Sequence, residues 1–174
     1  MRITSAFFFT FFILLSFSCE TSEHHSIPKT ANEALTALME GNERFINNAS
    51  IHHNFIDEAH HSEKEQHPHT FVLSCIDSRV PPEIVFDQGI GNLFVARVAG
   101  NIEDPNILGS MEYAVQVKGT KLLVVLGHSN CGAVQGAIDN VNLGHLTQLT
   151  NQIKVAFSKH KTYPLPEHLS NETG

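Results

Sequence analysis

The clearest structural signal in this 174-residue chain is the stretch Lys121-Leu122-Leu123-Val124-Val125-Leu126-Gly127-His128-Ser129-Asn130-Cys131-Gly132. Its first half is a short apolar run, typical of a strand that is buried on both faces of a sheet. A polar loop with His128 follows, and Cys131 stands where the next helix would begin. Because a helix N-terminus carries positive potential, it stabilises a thiolate there. The stretch therefore predicts a strand, a loop and a helix, with two potential metal ligands at their junction.

Two further apolar runs precede this stretch, at residues 70–75 and 92–98. Between the second and third runs, Asp104 and Pro105 predict the start of a helix, and Gly119 predicts its end. Strands that alternate with helices indicate a parallel sheet with right-handed crossovers. We therefore expect an α/β fold in which a central, mostly parallel β-sheet is flanked by helices.

Helices are also predicted before the first strand and after the third. Thr30 and Glu33 form a capping box. The residues after it follow a helical stripe that is apolar apart from one asparagine: Leu35, Leu38, Met39, Asn42, Phe45 and Ile46. A more polar helix is expected over 55–65, and another over 143–160.

A second motif, Cys75-Ile76-Asp77-Ser78-Arg79, follows the first predicted strand. Sites in open parallel sheets form outside the carboxyl ends of the strands, so Cys75, His128 and Cys131 are expected to converge. Two thiolates and one imidazole are ligands that Zn²⁺ selects, and three protein ligands with an open fourth position are typical of a catalytic zinc. A disulfide between Cys75 and Cys131 is the competing interpretation. The charged and imidazole neighbours of both thiols favour the metal.

Composition indicates a single globular domain. Apolar residues make up 41% of the chain and charged residues 17%, and the length is sufficient for a substantial core. The net charge of -7 and the scattered basic residues argue against a nucleic-acid partner. Most of the histidines outside the metal motif are interpreted as polar surface residues: His24, His25, His52, His53, His60, His61, His67 and His69.

The N-terminus is predicted to be an export signal. Arg2 precedes an apolar run over residues 6–15, which is too short for a transmembrane span of about 20 residues. Residues 15–19 resemble the lipobox of bacterial lipoproteins, in which Cys19 becomes the lipidated first residue. Plain secretory cleavage and a retained signal anchor are the alternatives. We expect three segments: a signal peptide at 1–19, a tether at 20–29 and a domain at 30–174.

The two ligand motifs together resemble the zinc signature of the β-class carbonic anhydrases. Further segments resemble the same family: 78–83, 86–89, 97–101 and 127–132. Within the third segment, Gly100-Asn101 is expected to form a tight turn near the pocket. The resemblance extends from about Ala31 to Leu149. It implies the β-carbonic anhydrase fold, one Zn²⁺ per chain held by Cys75, His128 and Cys131, and reversible hydration of CO2 to bicarbonate and a proton.

The resemblance also implies roles for Asp77 and Arg79. Zinc lowers the pKa of its bound water, so that hydroxide is available to attack CO2. Asp77 would accept a hydrogen bond from this hydroxide and orient it, while Arg79 holds the carboxylate in a bidentate pair. In some members the arginine releases the aspartate, which then ligates zinc and closes the site. The sequence leaves both states open, and a plain surface salt bridge is the competing interpretation.

Three residues match the substrate pocket of the plant-type members of the family. Gln66 lies nine residues before the first zinc cysteine, Phe94 lies nineteen residues after it, and Tyr113 stands on the next helix. The Gln66 amide would donate to a substrate oxygen, and the two rings would wall a small pocket. The other subtype has a tryptophan where this chain has Val72. In that subtype, the arginine that matches Arg97 helps bind an inhibitory anion. Arg97 is expected either in that role or in a structural salt bridge.

The resemblance further implies a homodimer or tetramer with the active site near the dimer interface. The N-terminal helix of family members commonly packs on the neighbouring subunit, and the stripe from Leu35 to Ile46 is expected either there or on the chain's own sheet. Members usually continue further beyond the last zinc cysteine. The last strand region of the fold is therefore expected to be missing from this chain.

The sequence leaves two alternatives to CO2 hydration open. The same scaffold would suit hydrolysis of a CO2 analogue such as carbonyl sulfide or carbon disulfide. A non-catalytic zinc-binding lipoprotein is the second alternative. We expect a periplasmic location, either free or membrane-anchored, with the membrane contacted only through the lipid on Cys19.

Overall fold

The computed structural model describes residues 27–159. The predicted signal peptide, the acylation site Cys19 and residues 20–26 of the predicted tether lie outside the described residues. Residues 160–174 lie outside them as well. None of the helices within 27–159 is long and apolar enough to cross a membrane.

Three parallel strands form the sheet of the described residues, in the order β2-β1-β3. They are β1 (Thr70–Ser74), β2 (Leu93–Arg97) and β3 (Leu122–Leu126). Each begins and ends within one residue of the predicted apolar run. β1 is buried along its whole length, as expected for the central strand of a parallel sheet covered on both faces. The predicted α/β fold with a parallel sheet is confirmed.

Helices connect and flank the strands. They are α1 (Ala31–Ile46), α2 (Phe55–His61), α3 (Pro82–Val85), α4 (Pro105–Glu112), α5 (Gly132–Ile138) and α6 (Gly144–Lys159). The chain continues from α4 into one π-helical turn, Tyr113–Val117, and a short 3-10 turn, Ala99–Asn101, follows β2. The α2 helix ends four residues earlier than predicted, because Ser62 closes it with its backbone N–H and hydroxyl.

The predicted helix starts are confirmed by their hydrogen bonds. The Thr30 hydroxyl accepts the N–H of Glu33, and the Glu33 carboxylate accepts the N–H of Lys29. The Asp104 carboxylate accepts the N–H groups of Asn106 and Ile107 at the start of α4. These side chains satisfy backbone donors that have no partner within a helix.

The two faces of the sheet pack against different helices. On one face, Val72 of β1 packs with Leu38 of α1 and with Phe86, and partly buried residues of β2 and β3 surround them. On the other face, Phe71 and Leu73 of β1 pack with Ala114, Phe94 and residues of α4. The central strand is thus sandwiched, and the carboxyl ends of all three strands meet at one edge of the sheet.

The α1 helix lies very close to the loop after α3. A Cβ on Gly41 would lie 1.8 Å from the carbonyl oxygen of Phe86, so only glycine fits there. Leu38 is buried at the same contact, whereas Leu35 and Met39 are exposed. The apolar stripe predicted on α1 therefore divides into two parts. One part packs on the chain's own sheet, and the other faces outward.

Two histidines depart from the predicted surface position. His69 is buried, and its ring nitrogens lie 2.8 Å from the Thr70 hydroxyl and 3.3 Å from the Gln88 amide oxygen. His53 is largely buried and lies 2.8 Å from a Glu58 carboxylate oxygen. Because each ring finds polar partners under the loops before β1 and β2, the surface interpretation is wrong for these two residues.

The described residues after Cys131 form α5 and α6, and no strand occurs among residues 132–159. The two helices pack against each other and against the turn Ala99–Asn101. A Cβ on Gly100 in this turn would lie 2.6 Å from Ile153 Cδ1 of α6, and Gly100 has φ +70°. The predicted tight turn at Gly100 and Asn101 is confirmed, and it holds the helices beside the carboxyl edge of the sheet.

Candidate metal centre

Loops at the carboxyl edge of the sheet bring three potential ligands together. Cys75 directly follows β1, His128 lies two residues beyond β3, and Cys131 is the N-cap residue of α5. The backbone reverses sharply between the last two, since Asn130 has φ +53°. The position of these residues after the strands predicted that they converge, and the structure confirms this prediction.

The ligand atoms of Cys75, His128 and Cys131 all lie within 4.8 Å of one another. They are the one such group found within residues 27–159. The two Sγ atoms are 3.8 Å apart, far beyond the S–S bond length of about 2.05 Å, so both cysteines are free thiols here. The geometry is that of ligands around a common centre and not that of a disulfide.

The donor set fits zinc. Both cysteines are buried, and the Nδ1 of His128 lies 2.9 Å from the Ser129 carbonyl oxygen. That contact assigns the ring proton to Nδ1 and leaves a lone pair on Nε2, which is buried and has no hydrogen-bond partner. A zinc ion would coordinate this unpartnered nitrogen together with the two sulfurs. These three residues would hold the metal.

The surroundings of Cys75 favour its thiolate. Burial raises the pKa of the thiol, but the hydrogen bond from the Gly100 N–H and the neighbouring His128 ring outweigh this effect and lower the pKa to about 7. The Gly100 nitrogen lies 3.4 Å from the Cys75 Sγ. Close to neutral pH, the site therefore offers a metal one thiolate that needs little further deprotonation.

Asp77 and Arg79 form a bidentate ion pair at the rim of the cluster. Arg79 Nε donates to Oδ1 at 2.9 Å and Nη2 donates to Oδ2 at 2.7 Å. These bonds hold the pKa of the Asp77 carboxyl well below its usual range and raise that of the guanidinium. Asp77 Oδ2 lies 3.9 Å from His128 Nε2. An ionised acceptor is thus fixed beside the ligands.

Arg97 secures the loop that carries these residues. Its Nε donates to the carbonyl of Cys75 at 2.9 Å, and its Nη2 donates to the carbonyl of Asp77 at 2.5 Å. The salt-bridge interpretation of Arg97 is therefore wrong, because its partners within 27–159 are carbonyl oxygens. Its position at the end of β2, in register with Ser74, is the signal from which this contact could have been predicted.

The Gly100 amide is a further functional group that the sequence analysis missed. It was assigned only to a turn, whereas its N–H points at the Cys75 sulfur. A sequence pattern identifies side chains that ligate, but the direction of a backbone N–H depends on the path of the turn. The only available signal was the expectation that the Gly100-Asn101 turn lies near the pocket.

Phe94 and Tyr113 lie together, but away from the cluster of the same chain. Their rings meet edge-to-face with centroids 6.3 Å apart and line a groove of ≈ 640 Å³ between β2 and α4. Phe94 is paired with Phe71, four residues before Cys75, which corresponds to about 13 Å along the sheet. Gln66 precedes β1 by four residues, towards the opposite edge.

Comparison with known proteins finds similarity to carbonic anhydrases. The family model described as carbonic anhydrase matches residues 70–172. Carbonic anhydrase 2 of Mycobacterium tuberculosis is 46% identical over 114 residues, which cover 65% of this chain and 55% of that protein. The chain spans about half the length of the curated relatives it matches.

Solved structures with a similar fold carry the same family name. A β-carbonic anhydrase from Coccomyxa, in complex with acetazolamide, is 26% identical with a TM-score of 0.56, over 74% of this chain and 59% of that one. A tetrameric β-carbonic anhydrase from Sordaria macrospora is 28% identical with a TM-score of 0.54, over 75% of this chain and 66% of that one. The family-model match over residues 70–172 includes the three strands and the residues Cys75, His128 and Cys131.

Proposed function

Because the chain belongs to the β-carbonic anhydrase family, we propose that it catalyses the reversible hydration of CO2 to bicarbonate and a proton. One observation carries the proposal: the buried group of Cys75, His128 and Cys131, with the Asp77–Arg79 pair at its rim. Since the chain spans about half the length of its curated relatives, the activity of the whole protein is inferred from this site.

We propose that one Zn²⁺ binds per chain, through the two sulfurs and the imidazole. When bound, zinc would lower the pKa of a coordinated water and so supply hydroxide near neutral pH. Two thiolates donate more negative charge than imidazoles do, which makes such a metal a weaker Lewis acid. Neighbouring groups must then contribute more to the reaction, and the Asp77 carboxylate lies 3.9 Å from the His128 Nε2 of the ligand set.

Asp77 would serve as a fixed hydrogen-bond acceptor for the attacking oxygen. Its carboxylate is ionised because Arg79 binds both oxygens, and its direction is fixed because Arg97 holds the backbone on the same loop. A carboxylate in this state would accept a hydrogen bond from the O–H group of the attacking hydroxide. The lone pair of the hydroxide oxygen would then face CO2. Arg79 acts through Asp77 and is a positioning residue.

We propose that Gln66, Phe94 and Tyr113 complete the substrate pocket of a second copy of the chain. The separation of about 13 Å between the level of Phe94 and Cys75 places the two rings too far from their own cluster to wall it. Tyr113 is half exposed and available to a neighbour. The Sordaria enzymes are tetrameric, and a related assembly of this chain would bring the groove of one copy to the metal centre of another.

Stopped-flow measurement of CO2 hydration on purified protein of known zinc content tests this proposal. We expect one zinc per chain and a hydration rate above that of buffer, with little hydrolysis of carbonyl sulfide. Zinc-loaded protein without hydration would contradict the proposal. Preferential hydrolysis of carbonyl sulfide would assign the same site to a CO2 analogue, and zinc binding without either activity would indicate a non-catalytic role.

A further inference from the structure

A cleft of ≈ 300 Å³ opens at the amino edge of the sheet, opposite the metal centre. Three segments that are distant in sequence form it: residues 27–29, 67–69 and 118–121. Its volume is at the lower end of the range of small-ligand pockets, about 300–1,000 Å³. The mechanism above uses none of these residues, so the cleft has no role in the proposed hydration.

The cleft gathers positive charge in an acidic protein. Lys29, Lys118 and Lys121 line it, together with His67 and His69, although the chain has a net charge of -7. None of the three ammonium groups has an ion pair or a hydrogen bond within residues 27–159. By contrast, Arg44 and Arg79 are both paired with carboxylates. The lysines therefore stand as unneutralised charges around one concave surface.

Two hydrogen bonds within the chain join the segments that form the cleft and do not involve the lysine ammonium groups. The N–H of Lys121 donates to the His69 carbonyl, and the Thr120 hydroxyl donates to the Pro68 carbonyl. Gly119 has φ +71°, and a Cβ built there would lie 3.9 Å from the Lys121 Nζ. The ammonium group thus lies near Gly119, which has no side chain to cover it.

Two glutamates beside the cleft do not neutralise its lysines. Glu33 accepts the backbone N–H of Lys29 and caps α1, and Glu65 lies 3.6 Å from the outer nitrogen of His67. Neither glutamate lines the cleft. Burial lowers the pKa of His69 against a smaller opposing effect of Gln88, so this ring contributes polarity and little charge. The positive potential comes from the three lysines.

We propose that this cleft binds a phosphate-bearing anion. Lysine ammonium groups act as point charges for phosphate, and a compact, doubly charged oxyanion is the ligand best matched to three of them. The phosphate could belong to a free ion or to the headgroup of an anionic lipid. The lipid source gains weight if Cys19 is acylated, since Ile27 of the cleft lies eight residues after it.

The binding is tested by titrating the zinc-loaded chain with inorganic phosphate while amide chemical shifts are recorded. We expect saturable shifts at Gly119 and His69, and an affinity at least tenfold weaker in the double variant Lys118→Gln/Lys121→Gln. The double variant Lys64→Gln/Lys154→Gln loses the same charge outside the cleft and should bind as the unaltered chain does. Circular dichroism melting checks that both variants fold.

A second arm identifies the source of the phosphate. Sedimentation with phosphatidylglycerol vesicles is compared with sedimentation with phosphatidylcholine vesicles, for the same three proteins. Selective binding to phosphatidylglycerol that only the cleft variant loses assigns the ligand to a lipid headgroup, whereas phosphate shifts alone assign it to a free anion. Absence of binding in both arms overturns the proposal. Shifts confined to residues 127–132, or equal losses in the two double variants, overturn it as well.

Discussion

At the scale of single residues, Asp77 is the side chain on which the proposed chemistry depends most. It does not belong to the group of three ligands, yet it lies 3.9 Å from the free nitrogen of His128 and is held at both oxygens by Arg79. Such an arrangement keeps the carboxylate charged and stationary. Its contribution should therefore appear in the rate and not in the affinity for metal.

Replacing Asp77 with Asn should leave one zinc per chain and lower the rate of CO2 hydration by about 10²-fold or more, the usual contribution of a positioned proton acceptor. The amide can still donate and accept, but it carries no charge and pairs poorly with Arg79. Zinc content and stopped-flow rates are measured on the same samples. Asp139→Asn, an exposed carboxylate on the end of α5, is the matched control. An unchanged rate in Asp77→Asn would remove the role assigned here.

Zinc affinity should rise with pH around neutrality. The Cys75 thiol has a pKa of about 7, and the neighbouring Cys75 raises the pKa of His128. Below these values zinc must displace protons, so its affinity should fall by about tenfold per pH unit for each proton displaced. Competition with a calibrated chromophoric chelator between pH 6 and 8 measures this. A pH-independent affinity would show that protonated thiols and imidazole are not involved.

Ligating and charged residues were predictable because their type and their place after strands carry the signal. Cys75, His128 and Cys131 are together as predicted, and so are Asp77 and Arg79. The sequence analysis named Arg97 but did not predict its partners, which are the carbonyl oxygens of Cys75 and Asp77, and it missed the contact of the Gly100 amide with a sulfur. The Gly100 contact depends on the exact path of a turn, which no residue pattern encodes, whereas the register of Arg97 with Ser74 was a usable signal.

At the scale of elements, strands and helix starts followed from local chemistry, whereas the partner of a helix face did not. Buried apolar runs and capping side chains predicted β1 to β3 and the starts of α1 and α4. The two faces of α1 could not be separated by periodicity, since Leu35 and Leu38 both fit one helical stripe. The close approach at Gly41 decides which side meets the sheet.

The contact at Gly41 predicts a difference between two helical glycines. Gly41→Ala forces a Cβ against the Phe86 carbonyl, so the free energy of unfolding should fall by about 1–3 kcal/mol. Gly109→Ala in α4 meets nothing within 4 Å and should be neutral or stabilising by up to about 1 kcal/mol. Urea unfolding of both variants compares the two effects. Equal stability of the two variants would show that α1 does not pack as described.

At the level of the complete chain, the group of three metal ligands and the aromatic groove lie in separate places. The cluster lies at the carboxyl edge of the sheet, and the groove lies between β2 and α4. The sequence placed Phe94 and Tyr113 by counting from Cys75, and counting cannot tell which copy of the chain they serve. Assembly is the step that the sequence of one chain leaves open.

Mixing two defective variants tests whether the pocket is shared between copies. Asp77→Asn impairs the metal site, and Tyr113→Ala impairs the groove. In a two-fold dimer with a shared site, a random mixture should regain about a quarter of the original activity, because half of the dimers carry one intact site. Each variant alone serves as the control. A mixture no more active than the average of its components would contradict a shared site. Each site would then use the groove and the cluster of one copy, or the groove would take no part in the reaction.

We propose that two cysteines and one histidine hold a single zinc with a fourth position open. Zinc K-edge absorption spectroscopy of the loaded chain measures this arrangement, because sulfur and nitrogen donors differ in their distance from zinc. We predict two sulfurs at about 2.3 Å and a nitrogen at about 2.0–2.1 Å, with one further light donor. Cys131→Ser should lose one of the two sulfurs. A first shell without two sulfurs, or one that Cys131→Ser leaves unchanged, would contradict the claim.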